Sequence, residues 1–287
     1  MGLFVRSLVV LGLAGAVIGG GGYATYRLYI LPEIRLKEDI AKGPPPLEAP
    51  PDEGLPHFLR CEEIERVSGS TAARKAYAEF LVLYPESGKV DEARTRLGRL
   101  NVRHWLSGQT GPEKVVYVVQ SGDVLKRVAT RHDSTVELIH EANRLNTLVL
   151  QKGQRLVVPQ GGFSAKVDRK AKRVLVYRKG QFFCQYPIRG MVGNAAKPVK
   201  AGTPPVKAKV SEGFGWKENV RVGFLEKGYR DEVVVPWLVV NPGGHTLFTD
   251  VAGAGENTRP SSGYELEAGH IRELSALLRR GDEVAIQ

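Results

Sequence analysis

The chain has 287 residues, room for two or three small domains with cores of their own, and only two cysteines, Cys61 and Cys184. These fall in different predicted domains, which excludes a disulfide-stapled scaffold. The formal net charge of +10 is concentrated in residues 160–210, where twelve Lys or Arg face one acid, Asp168. Such a field favours an anionic partner or a solvated basic face, and no nucleic-acid motif accompanies it. No nucleic acid, cofactor or metal is expected.

Residues 7–26, between Arg6 and Arg27, carry no charge, and twenty such residues match the length of a bilayer-crossing helix. Gly19 to Gly22 weaken a helix in water but are tolerated in lipid. Tyr23, Tyr26 and Tyr29 suit an interface. Cleavage near Ala14-Gly15-Ala16 is the competing reading; it leaves the apolar core too short, so residues 1–30 are expected to be an uncleaved membrane anchor. Residues 31–57, with Pro44-Pro45-Pro46 and Pro50-Pro51, read as a Pro-rich, semi-rigid linker.

Residues 58–108 read as a small helical module. Ala72, Ala73, Ala76, Phe80 and Leu81 recur at helical spacing, Tyr84-Pro85-Glu86-Ser87-Gly88 interrupts, and Ala93, Leu97 and Leu100 resume. The pattern resembles one tetratricopeptide-type hairpin. Such units normally stack to bury their cores, so this copy is expected to pack on its neighbours, with docking of a protein partner as the alternative role.

Residues 115–159 carry the strongest positive signal. Val116 to Val119 reads as a strand, Gln120-Ser121-Gly122-Asp123 as a turn and residues 124–131 as a helix. Ser134 reads as a cap for a second helix over residues 136–143, and Lys152-Gly153-Gln154 turns into a last strand ending at Pro159. This order, with Ser-Gly-Asp early and Asn143 at the second helix end, resembles the lysin motif (LysM). The resemblance implies binding of N-acetylglucosamine-containing glycan, peptidoglycan above all. The groove it implies has Gly122, Asp123, Val124 and Leu125 on one side and Asn146, Thr147, Leu148, Val149 and Leu150 on the other. Exposed backbone amides beside small aliphatic groups suit an acetamido group. Val124 stands where Thr is common in the family.

Beyond Gly161-Gly162 the pattern turns to strands: residues 165–168, 173–177, 182–188, 206–210 and 232–240, with a hairpin turn at Arg178-Lys179-Gly180-Gln181. With Thr203-Pro204, Trp237 and the close Ser261-Ser262-Gly263-Tyr264-Glu265-Leu266, residues 163–287 resemble the L,D-transpeptidase catalytic domain. There Ser-His-Gly-Cys-Ile-Arg precedes the last helix, and the Cys accepts an acyl group from a peptidoglycan stem peptide. Here Ser262 stands for the His, Tyr264 for the Cys and Leu266 for the Arg, and the upstream His-Gly pair falls on Phe248-Thr249. A phenol near pKa ~10 is a poorer nucleophile than a thiol near ~8.5.

The expected whole is an α+β multidomain chain. It is a bacterial, membrane-anchored wall protein in the periplasm or wall space, binding peptidoglycan through LysM and carrying a degenerate transpeptidase-like domain. Two alternatives stay open. One is an active enzyme using Cys184, Ser261 or Ser262, with His245 or His270 as a shifted base. The other is a structural spacer between membrane and wall.

Overall fold

The computed structural model describes residues 19–42, 51–198, 202–217, 219–224, 226, 234–242, 245–249 and 259–287. The chain divides into two compact units, Met1–Pro51 and Asp52–Gln287.

In the first unit, residues 19–25 are helical, Tyr26–Ile30 form a π turn and Leu31–Lys42 (α1) continues as α-helix. Thr25 Oγ1 donates to the Gly21 carbonyl at 2.9 Å, and Lys37 pairs with Glu33 at 2.9 Å. No helix among the described residues is long and apolar enough to cross a membrane. Residues 7–18 of the expected span lie outside the described residues. The helix α1 also corrects the start of the expected linker over residues 31–57. Pro32 lacks an N–H to send back along the helix, but it follows a π turn in which the Leu31 N–H bonds the Tyr26 carbonyl, and a widened turn accommodates that missing donor. Residues 43–50, which hold the triple proline, lie outside the described residues.

The second unit begins with three helices, Leu55–Val67 (α2), Gly69–Leu83 (α3) and Val90–Trp105 (α4), where one hairpin was expected. Pro56 sits in the first turn of α2, where its missing N–H has no intrahelical partner to lose, and Gly69 at φ +83° lets the chain reverse into α3. Phe58, Ala73, Tyr77, Phe80 and Leu97 form their core. Glu65 clamps all three helices, accepting from Tyr77 Oη at 2.9 Å and Arg99 at 2.7 Å.

Next come β1 (Lys114–Val118), α5 (Leu125–Arg131), α6 (Val136–Ala142) and β2 (Arg155–Pro159). The strands pair antiparallel, Val118 opposite Arg155, over Leu125, Val128, Ile139 and Leu156. The cap of α6 is Thr135, not the expected Ser134. Thr135 lies in extended backbone and its Oγ1 accepts from Leu138 N at 2.9 Å, three residues on, whereas Ser134 Oγ is buried with no partner among the described residues. Asn143 ties α6 to β2, donating to the Ile139 and Val157 carbonyls and accepting from Val157 N, each at 2.7 Å.

The rest is one large mixed sheet. Its strands are β3 (Phe163–Asp168), β4 (Arg173–Arg178), β5 (Gln181–Pro187), β6 (Gly190–Val192), β7 (Val206–Lys217), β8 (Val220–Val222), β9 (Val235–Asn241), β10 (His245–Phe248), β11 (Gly263–Glu265) and β12 (Glu283–Ile286). The helix α7 (Ala268–Leu277) precedes β12 and buries Ile271, Leu274 and Leu277. Spatial order is β5-β4-β3-β12-β7-β9-β10-β11-β6, with β8 beside β7. Lys179 and Gly180 both take positive φ, as the tight turn between β4 and β5 requires.

The first and last strands of that order, β5 and β6, are joined by Ile188 and Arg189 alone. Ile188 N donates to the Lys172 carbonyl at 2.8 Å and Arg189 N to the Glu265 carbonyl at 2.8 Å. Adjacent residues thus touch both ends of the sheet, which therefore curls almost closed.

Helices from all three segments share the interior. Val102, Trp105 and Leu138 belong to the same core as Val174, Leu238 and Leu274. Asn101 Nδ2 donates to the Phe183 carbonyl at 2.8 Å, and Trp105 meets Phe183 edge-on at 5.0 Å. A Cβ on Gly98 would lie 3.0 Å from Cys184 Cα, so glycine permits the approach of α4 to β5.

Candidate functional site

Antiparallel pairing of β1 with β2 puts the turn leaving β1 and the loop entering β2 at one end of the two-strand sheet. Val119 N donates to the Gln154 carbonyl and Gly153 N to the Val119 carbonyl, each at 2.9 Å, which fixes the two loops side by side. The loops present Gly122, at φ +82°, with Val124 at 51% exposure on one side, and Asn146, Thr147 and Val149 at 74% exposure on the other.

Not every residue expected in the groove faces it. Leu125 is buried in the core beneath, and Leu148 and Leu150 pack partly against that core. These three are the apolar support of the loops; their helix and loop positions direct them onto Val128 and Ile139. Asp123 is also engaged internally. Its Oδ2 accepts from Tyr117 Oη at 2.6 Å and Gln120 N at 2.8 Å, and the Tyr117 hydrogen bond, with the Gln120 amide, holds the carboxyl below its ordinary range. Arg131 donates to the same Tyr117 hydroxyl at 2.8 Å. Sequence reasoning passed over Tyr117 and Arg131, although an Asp three residues after Gln120 is a familiar turn lock.

The closing motif has a different setting. Gly263 and Tyr264 lie on β11, between β10, to which β11 runs parallel, and β6. A Cβ on Gly263 would come within 2.2 Å of the Thr246 carbonyl oxygen, so the strand spacing needs glycine there. Tyr264 is fully buried, and its hydroxyl has no hydrogen-bond partner among the described residues. Burial raises its pKa, against an opposing pull from the Arg169 charge. Ser262 is buried and its Oγ accepts from Ala195 N at 3.2 Å, while Ser261 is exposed.

The structure brings His245 to this centre, its ring stacked on Tyr264 with centroids 5.7 Å apart. Burial, and then the Arg169 charge, hold the imidazole below its usual range. The neighbour arises from the parallel pairing of β10 with β11, a contact that no local spacing announces. Arg169, which sequence reasoning missed, donates to the Ala195 carbonyl at 2.7 Å.

The remaining nucleophile candidate, Cys184, lies inside the core at 1% exposure beneath Gly98. Burial pushes its thiol well above the ordinary range, away from the thiolate a nucleophile needs. His270 packs on Tyr186 at 4.9 Å, and Tyr186 donates to Glu273 at 2.9 Å. Among the described residues no group of three or more His, Cys, Asp or Glu is arranged to hold a metal ion.

A search of curated proteins finds no match to this chain. Solved structures give distant likenesses. An L,D-transpeptidase from Stackebrandtia nassauensis shares 16% identity at a TM-score of 0.29, over 75% of this chain and 76% of that one. An L,D-transpeptidase mutant from Enterococcus faecium shares 10% identity at a TM-score of 0.28, over 75% of this chain and 82% of its own. A fused Zn-dependent amidase/peptidase/peptidoglycan-binding domain-containing protein from Clostridium acetobutylicum shares 9% at 0.29, over 44% of this chain and 52% of that one. This chain thus spans about half the length of the last. Likeness at this level assigns no chemistry. The sequence of the two-strand, two-helix segment is more specific: residues 117–159, which include both exposed loops, match the LysM domain family.

Proposed function

We propose that this is a bacterial wall protein that binds peptidoglycan glycan through the paired loops of residues 120–124 and 146–150, and that its large sheet is a transpeptidase-like scaffold without acyl-transfer activity. The observation that carries the reading is the open end of the LysM-matching segment, where Gly122, Val124, Asn146, Thr147 and Val149 are exposed side by side over a filled core. Backbone amides there can bond an acetamido oxygen while the valines cover its methyl group. The inactive reading of the sheet is supported by the buried phenol of Tyr264 and the buried thiol of Cys184. An uncharged N-terminal stretch over residues 7–26 supports tethering in the cytoplasmic membrane, with the remainder in the periplasm or wall space.

Two assays test it. The chain from Asp52 onward should sediment with purified sacculi, and Val124→Glu, which places a charge on the exposed loop, should abolish sedimentation at unchanged melting temperature. Retention of binding by that variant would reject the loops as the site. Incubation with disaccharide tetrapeptide should release no D-Ala; release that Cys184→Ala or Ser262→Ala abolishes would establish an enzyme instead.

A second reading has one specific support. An imidazole, His245, does lie beside the vacated centre. Release of D-Ala that is lost in His245→Gln would favour it.

A further inference from the structure

A groove of about 470 Å³ lies between α3, α4 and the hairpin of β4 and β5, apart from both regions described above. Its floor is aromatic, with Trp105, Phe182 and Phe183. Two guanidinium groups lie over the Trp105 ring, Arg74 at 5.3 Å and Arg178 at 5.0 Å from its centroid. Each is held at its Nε. Arg74 Nε donates to Asn101 Oδ1 at 2.8 Å, and Arg178 Nε reaches the Gln160 carbonyl at 3.4 Å. Asn101 is itself fixed by the Phe183 carbonyl. The arginines are therefore oriented before any ligand arrives.

Their charge is only partly met. Arg74 pairs with Glu113 at a loose 3.5 Å, and the terminal nitrogens of Arg178 have no acceptor among the described residues. Lys75 stands at the mouth with its side chain 80% exposed. Lys75 also pairs loosely with Glu79 at 3.8 Å, just outside the lining, so three cations face Glu113 and Glu79 and leave one net positive charge. Burial disfavours both charged arginines, Glu113 offsets part of this on each, and the Arg74 charge adds to it on Arg178. An anion entering the groove relieves both effects.

We infer that this groove binds a short acidic peptide, one carboxylate received by the free edge of Arg178 and a second by Arg74 and Lys75, with the peptide's apolar atoms against the half-buried Phe182. A planar guanidinium held over an indole presents its remaining N–H groups as a fork that matches a carboxylate. The half-buried Phe182 ring gives the methylenes of a peptide an apolar surface to cover, which inorganic phosphate cannot use. Binding there displaces Glu113, whose weak pairing makes it replaceable.

The test is calorimetric titration of the chain from Asp52 onward with N-acetyl-triglutamate, N-acetyl-triglutamine and inorganic phosphate. Triglutamate should bind saturably with Kd below about 1 mM, and the other two should give no saturable heat. Arg178→Gln should weaken binding at least tenfold, Arg178→Lys less so because charge remains without the fork, and Lys75→Gln by a few-fold with no change in melting temperature. Arg103→Gln, outside the groove, should leave affinity unchanged. Absence of saturable triglutamate binding, phosphate binding as tight as triglutamate, or equal affinity in Arg178→Gln and Lys75→Gln as in the parent would each overturn the inference. Lys75 is exposed, so its variant keeps the test decisive if Arg178→Gln unfolds.

Discussion

The loop end of residues 117–159 was expected to bind glycan and the motif on strand β11 to be a degenerate catalytic one, and the fold treats them oppositely. In the first, backbone turns stand open over a small core, with Val124 and Val149 facing outward. In the second, Tyr264 is fully enclosed between two neighbouring strands and the only exposed member of the motif is Ser261. The LysM-matching loops leave small groups exposed over a filled support, whereas the tyrosine of β11 is part of the interior. Under the proposed function, the contrast puts recognition on loops and stability on the sheet.

The largest test of that division is Trp105→Ala, which removes an indole shared by α4 and the sheet. It should destabilise the unit by about 3–5 kcal/mol in urea titration. Loss of helical and strand signals should coincide, because Val102, Trp105 and Leu138 lie in one core with the strands. Two separate transitions would show that the loop-bearing segment stands alone. Next, Asn143→Ala deletes two hydrogen bonds between α6 and β2 and one within α6 and should cost about 2–3 kcal/mol, with weaker glycan binding as the loop entering β2 loosens.

A smaller change of opposite sign sharpens the other side. Tyr264→Phe removes a buried hydroxyl with no described partner and should stabilise the protein by about 1 kcal/mol. Destabilisation would mean that the phenol has a polar role in this centre. A pH-dependent effect concerns Lys114, whose buried ammonium donates to the carbonyls of His104 and Ser107 and whose pKa burial lowers to about 8, helped by the Arg74 charge. A free lysine titrates near ~10.4, so between these values the unfolded chain holds a proton that the folded chain has released. Stability from this group should therefore rise as pH increases from about 8 toward ~10.4, and Lys114→Met should flatten that rise in urea midpoints.

The strand-helix-helix-strand order and the Lys179-Gly180 turn were legible in sequence because each is written within a few residues, by turn chemistry and apolar spacing. Choosing between Ser134 and Thr135 as the cap was not, since both are good caps and only backbone angles select one. The helix through Pro32 was hidden because a proline signals extension unless a π turn precedes it. Long-range facts were invisible for another reason. The stack of His245 on Tyr264 and the pair of arginines on Trp105 depend on strand order and helix docking. In the loops, apolar letters alone did not separate Val124 and Val149, which face out, from Leu125, Leu148 and Leu150, which face in.

Thr135 Oγ1 bonds the Ala276 carbonyl, and Asp133 pairs with Arg279 at 2.7 Å, so the segment that bears the loops is fastened to the last helix and its exit turn. A ligand held at those loops would therefore keep a set orientation to the large sheet.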